Sequence, residues 1–428
     1  MKTFALALAL AISTSGAPIA GGDSSPSPAA LRVETAQKVL QKQPNRFQAD
    51  NDLAMALIRR ARETGDSSYY QQAQDAIDRS LKIQPENFEA GQAHVALLLA
   101  EHQYHSALDE AQTLNHRMPD AVLVWGYMAE ADAALGDYKQ AEEAAQWMMD
   151  LRPGNLPAYL CGAALRQDWG DIDGALDFFS KALQQTPPFE HEEAAWILTR
   201  MARIHRQMGR TAQAEALLKQ ALTTFPDYRL SLQELAEVRM SQRLYPEAVE
   251  WLDRRNRSFP TPISHLLAAR AFDGAGRRED AARMYAQFER EARAQIELPE
   301  NANRELIAYY LEDGRRPQEA LRIARLELQS RHDVLTLDDY AWALFANGQT
   351  AEAQQQIQKA LADGTGDAAI FYHAGVIEAA VGNRADSIHN FQHSLDLNPT
   401  SEVAEAARRA LSKSGNYTAV RYTQDSGR

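Results

Sequence analysis

Small and large apolar residues return along this chain in fixed columns. One column holds Ala129, Ala163, Ala202, Ala236, Ala269, Ala308, Ala341 and Gly375. Twelve residues later comes a second small column, Ala141, Ala175, Ala214, Ala248, Ala281, Ala320, Ala353 and Ser387. Four further on stand mostly larger apolar residues, Phe179, Leu218, Leu252, Tyr285, Ile357 and Phe391. Punctuation follows the same beat. Pro85, Pro119, Pro153 and Pro187 are 34 apart, and Pro226 and Pro260 resume the interval after five extra residues. Gly136 to Gly170, Gly314 to Gly348 and Gly348 to Gly382 are again 34 apart. Two antiparallel helices approach most closely where Cβ is smallest, so the paired small columns mark a helix crossing. The glycine, as in Leu135-Gly136-Asp137-Tyr138, ends the first helix in a left-handed turn, and the proline stops the second.

This pattern resembles the tetratricopeptide-repeat (TPR) family, whose 34-residue unit carries the same small, small, large-apolar and proline columns. The resemblance implies an all-α fold, a right-handed α-solenoid of about ten TPR helix-turn-helix repeats with a C-terminal capping helix. The units run from about Arg46 to Ser401. Each hairpin buries too little alone, so neighbours stack and their cores merge. The expected organisation is a signal peptide at 1–20, a disordered lead-in and first helix at 21–45, repeats at 46–190 and 191–401, a capping helix at 402–413 and a flexible tail at 414–428. Three places break the beat. The first unit has extra residues around Gly65 to Tyr70, and Ala282 to Ile296 lengthens the second helix of the seventh before Pro299. The five-residue excess at Pro188-Phe189-Glu190-His191-Glu192 predicts a bend and a weaker joint, at which two halves would melt separately.

Charge changes the picture by exclusion. The formal net charge is -13, which repels nucleic acid and anionic membrane surfaces. Most of it lies early: Gly21 to Glu190 has 14 Lys/Arg against 25 Asp/Glu, and the rest has 30 against 33. Lys2, the apolar run Phe4 to Ile12 and the small residues Ser13 to Ala17 have the build of a secretory signal peptide, and the run is too short to span a bilayer. The expected address is the periplasm or the cell exterior, with a mature N-terminus between about Gly16 and Gly22. A single cysteine, Cys161, makes no intramolecular disulfide and reads as a small buried apolar residue.

Catalytic patterns are thin. Gly364-Thr365-Gly366-Asp367-Ala368-Ala369 matches a dinucleotide fingerprint formally, but a helix rather than a strand precedes it, so it reads as an inter-repeat loop. His102 and His105, one helical turn apart beside Glu101, fall short of the three or four ligands zinc needs and read as solvent-facing. No catalytic residue, cofactor site or metal site is assigned, and the chain is read as non-catalytic.

What remains is surface. In TPR proteins the first helices line the concave face, and the resemblance assigns positions two, five, six, nine and twelve to the groove. Clamping TPR domains place Lys and Asn there to grip a terminal carboxylate. The third unit here offers Leu123, Gly126 and Glu130, and the fourth Pro157, Leu160 and Ala164, so that role is not supported. Later units are richer: Thr199, Arg200, Arg203 and Arg206 in the fifth, Gln233, Glu234 and Glu237 in the sixth, Arg270 in the seventh, Tyr309 in the eighth, Trp342 and Phe345 in the ninth, Tyr372 and His373 in the tenth. The charges read either as a cross-repeat ionic ladder or as ligand contacts, and the aromatics either as inter-helix packing or as anchors. The candidate partner-binding residues are Trp342, Phe345, Tyr309 and Tyr372, with Arg200, Arg203 and Arg206 upstream. The expected function is a protein–protein interaction scaffold or adaptor in the bacterial envelope that binds protein or peptide segments. The alternatives are an accessory subunit of an export or exopolysaccharide assembly machine and, remotely, an enzyme with an unrecognised site.

Overall fold

In the computed structural model of the chain, residues 26–413 are described apart from 258, 299–300, 313–315 and 363. The expected signal segment, most of the lead-in, Ser258, Pro299, Gly314 and the tail at 414–428 lie outside the described residues. A first helix, α1 (Pro28–Lys42), precedes the hairpins α2 (Phe47–Thr64) with α3 (Ser68–Ile83), α4 (Phe88–Ala100) with α5 (Tyr104–Arg117) and α6 (Val122–Ala134) with α7 (Tyr138–Leu151). Then come α8 (Leu156–Asp168) with α9 (Ile172–Gln185), α10 (His191–Gln207) with α11 (Thr211–Thr224), α12 (Arg229–Ser241) with α13 (Tyr245–Arg255) and α14 (Pro262–Gly274) with α15 (Arg278–Ala294). The last are α16 (Asn303–Glu312) with α17 (Pro317–Glu327), α18 (Val334–Ala346) with α19 (Thr350–Ala362) and α20 (Ala368–Ala380) with α21 (Arg384–Leu397), closed by α22 (Ala404–Lys413). The twenty-two helices among the described residues are more than ten repeats need: ten hairpins take twenty of them, and α1 and α22 add one unpaired helix at each end.

The columns explain the packing. Ala129, Ala163, Ala202, Ala236, Ala269 and Ala341 are buried, as are Ala141, Ala175, Ala214, Ala248, Ala320 and Ala353 opposite them. Phe179, Leu218, Leu252 and Ile357 fill the space beside each crossing. Where no glycine stands in the turn, His102 (φ 58°) and Arg243 (φ 60°) take the left-handed conformation instead. His102 is therefore in the turn before α5, its ring stacked 5.8 Å from that of Tyr104, and does not share a helix with His105. Ala404, Ala407 and Leu411 of α22 cap the end against Phe391 and Leu395.

The solenoid closes on itself. The His332 N–H donates to the Ala134 carbonyl at 2.8 Å, and the Val334 N–H to the Tyr138 hydroxyl at 3.1 Å across 196 residues. The Asn398 side chain donates to the Gln207 carbonyl at 2.5 Å across 191 residues. One superhelical turn is thus between five and six 34-residue repeats, and the second turn lies on the first. The turn glycines of the first layer sit at these contacts. A Cβ on Gly136 would come 2.9 Å from the His332 carbonyl oxygen, on Gly170 2.8 Å from that of Thr365, and on Gly209 2.7 Å from the Thr400 hydroxyl. Gly276, Gly348 and Gly382 have the same positive φ and meet nothing within 4 Å. The loop that mimics a dinucleotide fingerprint is part of this seam, since Gly366 packs against the Gly170 backbone.

A second closure is ionic. The stretch expected to be a bend turns its acids back to the first two helices: Glu190 meets Arg32 and Arg59, Glu193 meets Arg59 at 3.0 Å, and Glu192 meets Arg62. Glu192 is fully buried, and it also accepts the Tyr228 hydroxyl at 2.8 Å. Burial pushes its carboxyl up, but Arg62 and the hydrogen bonds outweigh this and hold it below its ordinary 4.5. Across the same stretch α9 and α10 share a core of Phe179, Ala182, Ile197 and Ile204.

Two outcomes follow. Gly170→Ala and Gly348→Ala impose the same left-handed penalty of about 1–2 kcal/mol, but only the first also collides with backbone, for a further ~1–3 kcal/mol. Urea unfolding is expected to rank Gly170→Ala as clearly the worse, and equal costs would mean that the two layers do not touch. Glu192→Gln takes from Arg62 its ion-pair partner, while Arg59 keeps Glu190 and Glu193, a loss of about 1–3 kcal/mol. Because the folded carboxyl titrates below the unfolded one, its contribution is complete above about pH 4.5 and is lost as pH falls through the lower folded value. X-ray scattering is expected to report a larger radius of gyration for Glu192→Gln at neutral pH and for the native chain in acid. An unchanged radius together with an unchanged melting midpoint would show that the ionic closure is idle.

Candidate functional site

The winding lines a half-open cavity of 1520 Å³. Its wall comes from the inner sides of α1, α2, α6, α8 and α10, and the second layer closes it with Asp333 to Leu335 and Thr365 to Asp367. Leu123, Gly126, Glu130, Pro157, Leu160 and Ala164 all face it, as do Arg200 and Arg203. These are positions that the repeat alignment assigns to the groove. Leu31, Met55 and Leu123 are exposed large apolar side chains on its wall.

Nine arginines line the cavity against six carboxylates, with no lysine among the described lining residues, so the wall is net positive inside a chain of charge -13. Most of these arginines have acidic partners. Arg203 reaches Glu234 at 3.0 Å, Arg304 reaches Asp339 at 3.1 Å, and Arg331 reaches Asp333 at 2.5 Å. Arg200 differs. It donates to the Gln167 side chain at 2.9 Å and lies over the rings of Trp196 and Phe179, at 5.8 and 6.0 Å, with no carboxylate in ion-pair contact among the described residues. Burial and the neighbouring Arg203 pull its guanidinium down to about 10. Asp168 beside it is pushed up to about 6 by burial. Glu130, on α6, is held above its ordinary value by burial, with Arg62 only partly compensating.

Of the other expected site residues, Arg206 is committed to Glu234 and Glu237, the latter at 2.7 Å. Burial pushes Glu234 up, but Arg206 and Arg203 outweigh it and hold it low. Burial prevails at Glu237 and raises it. Trp342, Phe345 and Tyr372 come together in a group away from the cavity wall. The Trp342 ring stacks on His373 at 4.2 Å and on Phe345 at 5.2 Å, with Tyr372 tilted at 6.5 Å. Tyr309 belongs to a different group, stacked on Tyr285 at 5.5 Å and edge-on to Phe288. Local spacing missed Arg32, Arg59, Arg62, Arg304 and Arg331, because only the winding brings them to the same cavity. Cys161 also faces the cavity, and burial pushes its thiol up to about 12, so at neutral pH it is a poor nucleophile. Among the described residues no group of three or more His, Cys, Asp or Glu is placed to hold a metal ion. None of their helices is long and apolar enough to cross a membrane.

Stacked helical hairpins wound around an internal surface define an all-α solenoid. Two tetratricopeptide-repeat family models match the chain, over residues 158–227 and 205–271, and the same columns continue on either side. The chain carries tetratricopeptide repeats. No curated protein matches it in sequence. Solved structures resemble it at low identity and with TM-scores below 0.5. The Cut9–Hcn1 hetero-tetramer of the APC/C matches at 14% identity and TM-score 0.44 over 89% of this chain, which spans 58% of the length of that one. The human IFIT1 dimer with m7Gppp-AAAA matches at 15% and 0.49 over 77% of this chain and 76% of that one. Pseudomonas aeruginosa pilF matches at 17% and 0.33 over 57% and 90%.

The ring group has its own titration. The Asp338 carboxylate lies 3.0 Å from His373 Nδ1. Burial opposes protonation of His373, but Asp338 outweighs it and holds the imidazole above its ordinary 6.5. The pair therefore stabilises the fold fully below about pH 6.5 and loses that contribution as pH rises through the higher folded value. Asp338→Asn is expected to lower the His373 titration midpoint seen by NMR, and its melting deficit should shrink between about pH 6 and pH 9. A deficit independent of pH would remove the ion pair from the account. Trp342→Ala, which deletes a half-buried ring from this stack, is expected to cost about 2–4 kcal/mol in stability.

Proposed function

We propose that this protein is a non-catalytic scaffold of the bacterial envelope that holds segments of partner proteins inside the winding of its repeats. Tetratricopeptide repeats mediate protein–protein interaction. The observation that carries the reading for this chain is the cavity itself. At 1520 Å³ it is larger than the roughly 300–1,000 Å³ typical of small-molecule sites. It combines exposed Leu31, Met55 and Leu123 with arginines and aromatic rings, the mixture that fills protein interfaces. The envelope location rests on Lys2 and the Phe4 to Ile12 run. The Trp342, Phe345 and Tyr372 group is a second contact surface in this reading, outside the cavity.

Photo-cross-linking in the source cells tests it. A benzophenone amino acid replacing Leu123 is expected to capture a discrete protein partner, whereas one replacing Trp147, exposed and absent from the cavity wall, is not. Capture at Phe345 but not at Leu123 would move the binding surface to the ring group, and capture at neither would sink the scaffold reading. In the cross-linked product this chain itself should begin between about Gly16 and Gly22 and sit in the periplasmic fraction. An intact Met1 in the cytosol would reject the location alone.

A further inference from the structure

A second, half-open cavity of 540 Å³ lies on the seam between the two layers, within the roughly 300–1,000 Å³ of small-molecule sites. The first layer gives it Leu135, Gly136 and Tyr138 at the turn between α6 and α7. The second layer gives it Leu328 and His332 from the connection before α18, Leu337 and Tyr340 from α18, and Gln356 and Lys359 from α19. Helix α19 contributes nothing to the inner cavity, whereas Tyr138 and Val334 line both spaces. Their hydrogen bond at 3.1 Å is therefore the partition between the two.

Apolar and polar groups are sorted in this pocket. Three leucines and the rings of Tyr138 and Tyr340 supply the apolar surface, and both tyrosine hydroxyls are already bonded, one to the Val334 N–H and the other to Glu352 at 3.0 Å. The side chains of His332, Gln356 and Lys359 make no hydrogen bond or ion pair with another described residue. His332 and Lys359 are exposed and Gln356 is half-buried, so all three are open to a ligand. All three can donate, and Lys359 carries the one fixed charge. No carboxylate lines the pocket among the described residues, so it is locally cationic in a chain of charge -13. The acids next along the chain are engaged elsewhere: Asp137 caps α7, Asp333 holds Arg331, and Glu352 takes Tyr340.

We infer that the seam pocket binds a small amphipathic monoanion, an apolar ring body carrying one carboxylate, and that the bound molecule ties the two layers together. The body lies on the leucines and the tyrosine rings. Its carboxylate takes charge-assisted hydrogen bonds from the Lys359 ammonium, with the Gln356 amide and the His332 ring as further donors. One lysine balances one negative charge, which favours a monoanion over a phosphate monoester. The walls belong to both layers, so the site is whole only when the layers touch. A ligand that binds the closed winding and not an opened one shifts the chain toward closure. The occupant thereby acts on the inner cavity from outside it, through the Tyr138 and Val334 partition.

The probes are naphthalene-2-carboxylate and its neutral amide, titrated by calorimetry into the full chain. The carboxylate is expected to bind about tenfold more tightly than the amide and to raise the melting midpoint. Lys359→Met should remove both effects and Lys359→Arg should keep them, and neither disturbs packing because the position is exposed. Lys82→Met, at an exposed lysine on neither cavity, should change nothing. In hydrogen exchange the carboxylate should slow the His332 and Val334 amides, which donate across the seam, and should not do so in Lys359→Met. No binding at about 1 mM probe, equal affinity for acid and amide, a preference that survives Lys359→Met, or one that falls equally in Lys82→Met would each overturn the site. Binding that leaves the two amides exchanging as in the free protein would overturn the tie between layers. Tighter binding of 2-naphthyl phosphate than of the carboxylate would overturn the assignment of a monoanion.

Discussion

The inner surface of this protein exists because two layers of backbone can touch. Stacked hairpins by themselves make an open spiral, with solvent between successive windings. Here the winding has a pitch that brings the hairpin turns of the first layer onto the inter-repeat loops of the second. Main chain then meets main chain at Ala134 with His332 and at Gly170 with Thr365 and Gly366. Side chains at those turns would hold the layers apart, since a Cβ already lands within 3 Å of backbone or hydroxyl. The cavity, the merged core around Tyr138, Leu306 and Tyr310, and the convergence of arginines from distant repeats all depend on that approach.

Closure has an electrostatic side as well. Bringing α10 against α1 and α2 buries Glu192 completely, which is tolerable only with Arg62, Arg59 and the Tyr228 hydroxyl around it. The five residues that interrupt the repeat beat are the ones that aim Glu190 and Glu192 at that target. An insertion that looks like a defect in a one-dimensional array becomes a contact in three dimensions. Inside the cavity the balance differs, since most arginines are matched by carboxylates while Arg200 and Glu130 are left facing open space.

Much of the fold was legible in advance. The alanine columns, the glycine turns and the proline stops each report on a helix crossing or a helix end within one repeat, and these are short-range facts. The groove positions of the third to fifth units were legible too, since Leu123, Glu130, Leu160 and Arg200 all line the cavity. The aromatic residues read from the later units divide into two groups, because Tyr309 packs on α15 through Tyr285 and Phe288 while Trp342 packs on His373 and Phe345. Nothing in their spacing could separate the two, since ring pairing depends on side-chain direction at each crossing.

By itself, then, the sequence determined the hairpin, its period and its stacking, because the residues that decide them lie within one 34-residue unit or the next. Tertiary structure alone decided the pitch of the winding, and pitch accumulates from small rotations at every interface that no single column encodes. It was pitch that gave Gly136, Gly170 and Gly209 a role that Gly276, Gly348 and Gly382 lack, although all six end a helix in the same way. Pitch also turned the acids at Glu190 and Glu192 inward and set Arg304 and Arg331 on the same cavity as Arg200, because charges about three to five repeats apart share one inner surface only when the chain winds around it.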